Sequence, residues 1–214
     1  MDRFFDANNP LMRALSGLVD LVTLNLITIV CMIPVFTAGA SLTAMNYVLI
    51  HYVRGEDTYI GKMFFHSFRD NFKQGIGMGL IYVVFVIIAA IDLYVLRSFD
   101  SKAATLLMIV MTVLICFVFV TAVYAFALLS RYDNKTSTTL KNALSLTLGH
   151  LPSTAGMIAI WLVWIFVLWY FPKTTVLLGV LFGLSLPAYL CALIYDPVFR
   201  RMEEAEEQET FQEP

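Results

Sequence analysis

Apolar runs about twenty residues long, separated by short polar segments, dominate the chain. A hydrocarbon layer of about 30 Å takes roughly 20 apolar residues in a helix, so each run of that length predicts a transmembrane span. Such runs cover residues 15–36, 76–96, 103–129, 155–171 and 174–195, with a shorter one at 38–53. Only Pro172 and Lys173 separate the last two, which predicts a tight antiparallel hairpin. The run at 38–53 is rich in small residues and by length alone fits either a thin span or a re-entrant segment. Basic residues settle how to count it, because Lys and Arg concentrate in cytoplasmic loops. With six spans and both termini inside, 11 of the 14 basic residues are cytoplasmic: Arg3, Arg13, Arg54, Lys62, Arg69, Lys73, Arg131, Lys135, Lys141, Arg200 and Arg201. Arg97, Lys102 and Lys173 remain outside. Five spans would split the basic loops between the two sides, so the short run counts as a span.

Two of the polar segments carry a second pattern. In residues 64–73, Phe64, Phe65, Phe68 and Phe72 recur on one helical arc, with Arg69, Asp70 and Lys73 beside it. In residues 140–151, Leu140, Leu144, Leu148 and Leu151 line one face opposite Lys141, Asn142 and Ser145. Helices of this kind lie in the headgroup plane. Phe64, Phe68, Arg69, Phe72 and Lys73 thus form a candidate interfacial docking helix. Pairing two spans with one such helix gives residues 15–73, then 76–150, then the final hairpin, a parallel internal repeat. The predicted fold class is all-α: a polytopic membrane helical bundle of six transmembrane helices, the second short, with two amphipathic cytoplasmic interfacial helices. It forms one membrane domain, residues 1–202, followed by an acidic disordered tail, residues 203–214.

Composition agrees with the span pattern. The 214 residues are 59% hydrophobic and 14% charged, against about 45–50% and about 25% for soluble domains. The net charge of −2 conceals an uneven distribution, since residues 203–214 hold six Glu and no base. The body, with 14 basic against ten acidic residues, carries +4. Its bases are spread over several loops, which excludes a nucleic-acid-binding patch. Arg3, Arg13, the first apolar run and Ala38-Gly39-Ala40 together resemble a cleaved signal. Asp2 and Asp6 dilute the basic region, the run is too long, and Asp20 and Asn25 interrupt it, so a retained span is expected. Cys31, Cys116 and Cys191 all fall in apolar runs, where a thiol acts as a small hydrophobe. No metal, cofactor or disulfide framework is expected.

Several stretches fit one family. Pro34-Val35-Phe36-Thr37-Ala38-Gly39-Ala40-Ser41, then FFHSFRDNFK at residues 64–73, SRYDN at 130–134 and LKNALSLTLGHLP at 140–152 follow in an order and spacing that resembles the YesL family of small bacterial membrane proteins. The resemblance implies an accessory protein encoded near carbohydrate uptake systems, with no catalytic residues to carry over.

Candidate chemistry is sparse. Asp20 interrupts the first span, where a carboxylate faces the bundle or snorkels outward. Asn25, with Thr28 one turn on, suits hydrogen bonding to a neighbouring helix. Thr37, Ser41 and Asn46 make a hydroxyl- and amide-bearing start to the short second span, where a free helix N-terminus capped by Thr37 or Ser41 would receive an anionic or hydroxylated ligand. Asp20, Asn25, Thr37, Ser41 and Asn46 are therefore the candidate polar site, against the simpler reading of close helix packing. The pairs Gly75/Gly79 and Gly179/Gly183 have packing or dimerisation as their usual meaning. Pro187 predicts a kink, and Asp196 before Pro197 an end to the last span. Trp161 and Trp164 lie deep, as core or lipid packing. Phosphate-loop, zinc-protease and nucleophile-elbow motifs are missing from the sequence. The function expected is that of a non-enzymatic accessory or assembly protein in a bacterial cytoplasmic membrane. Its partners are the lipid bilayer and a membrane protein, such as a carbohydrate transport system, with no nucleic acid and with a homo-oligomer as an option. The alternative is a small secondary transporter or channel using the junction at residues 34–41.

Overall fold

The computed structural model describes residues 10–56, 59–99 and 101–212. Arg3, Asp2 and Asp6 of the signal-like start, and residues 213–214, lie outside the described residues. Among those described, all regular structure is helical: α1 (Pro10–Met32), α2 (Ala38–Val53), α3 (Ile60–Asp70), α4 (Phe72–Arg97), α5 (Lys102–Arg131), α6 (Thr136–Gly149), α7 (Leu151–Tyr170), α8 (Pro172–Phe182) and α9 (Ser185–Gln212). A single 3-10 turn, Val35–Thr37, joins α1 to α2. Pro34 starts it, because proline removes a donor and the residue before it avoids helical geometry.

Four helices, α1, α4, α5 and α7, are long and apolar enough to cross a membrane, and α8 with α9 makes a fifth candidate span bent by 48°. Many large apolar side chains on these helices are exposed, among them Ile88, Ile91, Val110, Val113 and Ile165. A water-soluble surface does not carry such a continuous apolar band, so this is a helical membrane protein.

The short second run forms α2, whose 16 residues extend about 24 Å, less than a hydrocarbon core. It is the most enclosed element, lying against α1, α3, α4, α5 and α9. Its C-terminal end returns to the beginning of α1, since a Cβ added to Gly17 would overlap the Tyr52 hydroxyl. Its N-terminal end meets α4 at Gly75 and Gly79, within the first third of α4. A helix crossing the whole bilayer against α4 would instead start near Arg97. The α1–α2 hairpin therefore comes back to the face from which it set out without running the length of α4.

The same face collects the start of α4, the end of α5 and residues 196–203 of α9, so these polar segments gather at one end of the bundle. The core sits at that end. In α5, residues 120 and 121 and 124–130 are buried, whereas in its first half only Ala104 is. α4 buries Gly75, Met78 and Gly79, and beyond them only Ala89. The distal halves of α4 and α5 thus form a slender hairpin facing lipid.

Both amphipathic segments are helices, with modified boundaries and faces. The expected single helix over residues 64–73 divides at Asn71, so Phe72 and Lys73 begin α4. Phe64 is fully buried and stacks on Phe68 at 6.1 Å, while Phe65 is exposed. The arc points partly into the protein because α3 folds back along α2, which offers it an apolar wall. In α6 the protein side is Thr139, Ala143, Leu146 and Thr147, and Leu144 and Leu148 face outward, with Leu151 continuing the exposed stripe into α7. Residue 203 does not coincide with an end of structure. α9 runs through Pro197 and Glu203 to Gln212, and the expected end of the span at Asp196 is not a helix end. Pro197 removes one backbone donor, and the helix continues past it.

Candidate functional site

Three polar assemblies stand out against the apolar background: a braced helix break, a buried ion-pair network and an exposed cleft. The break separates α8 from α9 at Gly183 and Leu184, four residues before the kink that Pro187 predicted. A break frees carbonyls on one side and N–H groups on the other, and in a membrane these need partners. Asn25 of α1 supplies both. Its Nδ2 donates to the Val180 carbonyl at 2.6 Å and lies 3.4 Å from that of Gly179, while its Oδ1 accepts from the Leu184 and Ser185 N–H groups at 2.8 and 3.0 Å. Trp164 Nε1 adds a bond to the Gly183 carbonyl at 3.1 Å. Asn25 thus faces other helices as expected, and both its donor and its acceptor are engaged by the fold. Asn25→Leu is expected to cost about 2 kcal/mol, since several backbone groups lose their partners together, against ~0.6 kcal/mol for an average interhelical hydrogen bond. Trp164→Phe should cost less than half of that. Thermal unfolding in mild detergent measures both, and equal losses would refute the assignment of Asn25 as the principal brace.

The other members of the candidate polar site do not converge with Asn25 into a common pocket. Thr37 Oγ1 donates to the carbonyls of Cys31 and Pro34, both at 2.6 Å. Ser41 donates to the Thr37 carbonyl and Thr43 to that of Gly39. Asn46 donates to the Leu42 carbonyl and accepts from the Tyr195 hydroxyl at 2.8 Å. The expected side-chain cap on α2 is not formed; the 3-10 turn leads directly into the helix, with the Ala38 N–H bonded to the Val35 carbonyl. Local carbonyls satisfy these hydroxyls more readily than a distant cap, because the buried helix excludes water. Asp20 is half-buried on α1, within electrostatic reach of Tyr52.

The ion-pair network ties the ends of α2 and α5 to the middle of α9. Arg54, just past α2, donates through Nε to Asp196 at 2.7 Å and through its two terminal nitrogens to Glu203 at 3.0 and 3.2 Å. Arg131 at the end of α5 donates to Glu203 at 2.9 Å, and Arg200 to the other Asp196 oxygen at 2.8 Å. The Asp196 side chain is 3% exposed and that of Arg54 10%. Burial opposes charge on both Arg54 and Glu203, yet pairing wins on each. The Arg54 guanidinium is held above its ordinary value by Glu203 and Asp196, and the Glu203 carboxyl below its own by Arg54 and Arg131. Sequence reading counted Arg54 as a loop base and Glu203 as part of the tail. The available signal was an arginine ending one apolar run and an aspartate ending another, which does not identify them as partners.

The exposed cleft lies at the same end. Residues 64–73 and 130–134, far apart in sequence, come together there. One lobe of about 290 Å³ is bounded by His66, Ser67 and Asn71 on one side and Ser130 to Asp133 on the other. An adjoining lobe of about 540 Å³ runs past Phe68, Arg69, Phe72 and Lys73 to Asp133. Asn71 builds the corner, its Nδ2 donating to the Ser67 carbonyl at 3.1 Å as the chain turns from α3 into α4. His66 and Asp70 pair at 3.2 Å on the rim, both largely exposed. The docking-helix residues Phe68, Arg69, Phe72 and Lys73 thus border one opening, while Phe64 anchors α3 from beneath. The rim mixes both charge signs with aromatic edges, and among the described residues no group of three metal-binding side chains is present.

A family model described as "Protein of unknown function, DUF624" matches residues 21–93, from α1 through most of α4. Neither a curated protein nor a solved structure matches the chain.

Proposed function

We propose that this protein is an integral membrane accessory or assembly protein without catalytic activity, and that it serves a membrane partner such as a carbohydrate uptake system. It resembles YesL proteins in the segments that line the exposed cleft. The convergence of those two segments carries the proposal. Asp70, Asp133, Arg69 and Lys73 remain accessible at the cleft, while Asn25, Thr37, Ser41, Asn46 and Arg54 are engaged within the fold. An exposed rim of mixed charge with aromatic edges suits a protein surface. Asp70→Lys with Asp133→Lys is expected to abolish recovery of the partner from mild detergent while leaving the melting temperature within about 2 °C, as for other surface changes. Unchanged recovery would refute the proposed docking role of the cleft.

We place the protein in the cytoplasmic membrane of a bacterium, multi-pass, with both termini and the cleft inside. The α1–α2 hairpin enters and leaves on the inner side, α4, α5, α7 and the bent α8–α9 pair make the full passages, and α3 and α6 lie at the inner interface, with Leu144 and Leu148 toward lipid. Single cysteines at Lys102 and Lys173, in a variant lacking the three native ones, should react with an impermeant reagent in intact cells, and those at Lys62 and Lys135 should not. Labelling at Lys62 would reverse the orientation. A second reading, a small secondary transporter or channel, has the bent α8–α9 pair in its favour, since transporters place substrates at broken helices. It requires Asn25 to release the break, and solute flux into vesicles that Asn25→Ala alters would support it.

A further inference from the structure

An apolar groove in two parts lies between α5 and α7, on either side of the Phe119–Trp161 pair, and reaches the polar assemblies only at Leu184 of the helix break. Its inner part is a cavity of about 180 Å³ where α1, α2, α5, α7 and α9 meet, bounded by Met32, Met45, Ala122, Trp161 and Ala188. Its outer part, of about 220 Å³, runs between Ile115 and Cys116 of α5 and Ile158, Leu162 and Ile165 of α7. Phe119 and Trp161 border both parts and meet edge to face with ring centroids 5.1 Å apart. The volume exists because Ala122 and Ala188 stand where larger residues would close the core. Asn46 and Trp161 carry the polar side-chain atoms along the inner wall. The Asn46 amide is engaged by Leu42 and Tyr195, and the Trp161 indole N–H is a single donor, fewer partners than a buried water needs, so the inner cavity offers water little to bond.

An apolar space of this kind accepts hydrocarbon, and what reaches it is decided by what lies at its mouth. Leu162, Ile165 and Phe119 on the outer part are 54, 57 and 42% exposed, continuous with the apolar band of the spans. The mouth therefore opens sideways into the acyl-chain layer. We infer that this groove holds one acyl chain of a bilayer phospholipid, inserted between α5 and α7 past the Phe119–Trp161 pair as far as Met45. Such a chain would fill the junction of five helices from the side, where the bundle lacks packing of its own.

The full-length protein in phosphatidylcholine vesicles, doped with a phosphatidylcholine carrying a photoactivatable diazirine midway along one chain, tests this. After irradiation and peptide mapping, adducts are expected at Met45, which is 3% exposed and lines the inner cavity, as well as at lipid-facing Val163. Ala122→Leu, which fills the cavity, should reduce the Met45 adduct at least tenfold and leave that at Val163 unchanged; Ala188→Leu does the same from the opposite wall. Adducts confined to exposed residues in the unaltered protein would overturn the inference, as would a Met45 adduct that survives both fillings.

Discussion

Gly39→Leu is expected to prevent the bundle from assembling, the largest effect of any single substitution at a small residue here. Gly39, in the first turn of α2, lies against α4 so closely that a Cβ would overlap the Gly75 carbonyl oxygen and come within 2.8 Å of the Gly79 Cα. From the other side, a Cβ on Gly75 would sit 2.7 Å from the Ala40 Cα. The obstructing atoms are backbone, so no rotamer change relieves them and the two helices must separate. Separation would open the contact where Met78 and Ala40 are buried, which α2 provides to the core at the polar end. Gly39→Ala is expected to lose about 3 kcal/mol, the upper part of the overpacking range, and Gly39→Leu to leave no folded monomer in detergent. Gly61→Ala and Gly77→Ala are the controls, because a Cβ at either position meets nothing within 4 Å. In a helix those changes should be neutral or raise stability by up to about 1 kcal/mol. Melting temperature with the monomer fraction on size exclusion reads all four, and a Gly39→Ala variant as stable as Gly77→Ala would refute the close approach. Gly75/Gly79 is therefore an internal packing pair. Gly179/Gly183 is something else, for Gly179 has open space at its Cβ position and Gly183 sits in the helix break.

The helical class and the long spans were legible because a twenty-residue apolar run has one common solution in a bilayer. The depth of α2 was not, because hydropathy reports that a segment avoids water without distinguishing lipid from protein around it. Ser41, Thr43 and Asn46 could be read as a site since nothing local shows that each bonds the preceding turn. Asn25 was legible as interhelical glue, since a deep amide must find partners. Its particular task depends on a break at Gly183, more than 150 residues away, where Pro187 drew attention to the wrong turn. Periodicity identified the phenylalanine and leucine arcs, but it assigned both to lipid. Phe64 is buried under α2, and α6 has a third face, of Thr139, Ala143, Leu146 and Thr147, against the protein. An amphipathic wheel marks an apolar face and leaves open which apolar medium it meets.

Arg54→Ala is expected to cost about 3–5 kcal/mol, the range for removing one member of a buried pair, because it leaves the buried Asp196 only the half-exposed Arg200 as partner and leaves Glu203 held by Arg131 alone. The effect should be unequal around the network. Arg200→Ala, which removes a side chain 50% exposed, is expected to cost under about 1 kcal/mol. Asp196→Asn should approach the Arg54→Ala loss, and the double variant Arg54→Ala/Asp196→Asn should lose clearly less than the two single losses added, the mark of direct coupling. Acid provides an independent check. Because Glu203 is held below its ordinary value in the folded protein, its contribution to stability is complete above the unfolded value, near pH 4.5, and is lost as pH falls through the lower folded one. Glu203→Gln should lower stability near neutrality and flatten its decline below about pH 4.5, read from unfolding midpoints between pH 3 and 7. Additive losses for Arg54 and Asp196, or an unchanged acid limb in Glu203→Gln, would mean that the ends of α2 and α5 and the middle of α9 are held by apolar packing alone. Coupled losses would mean that α9 beyond its apolar stretch is fastened to the bundle by charge, and that the fold includes Glu203 up to the last of its ion pairs.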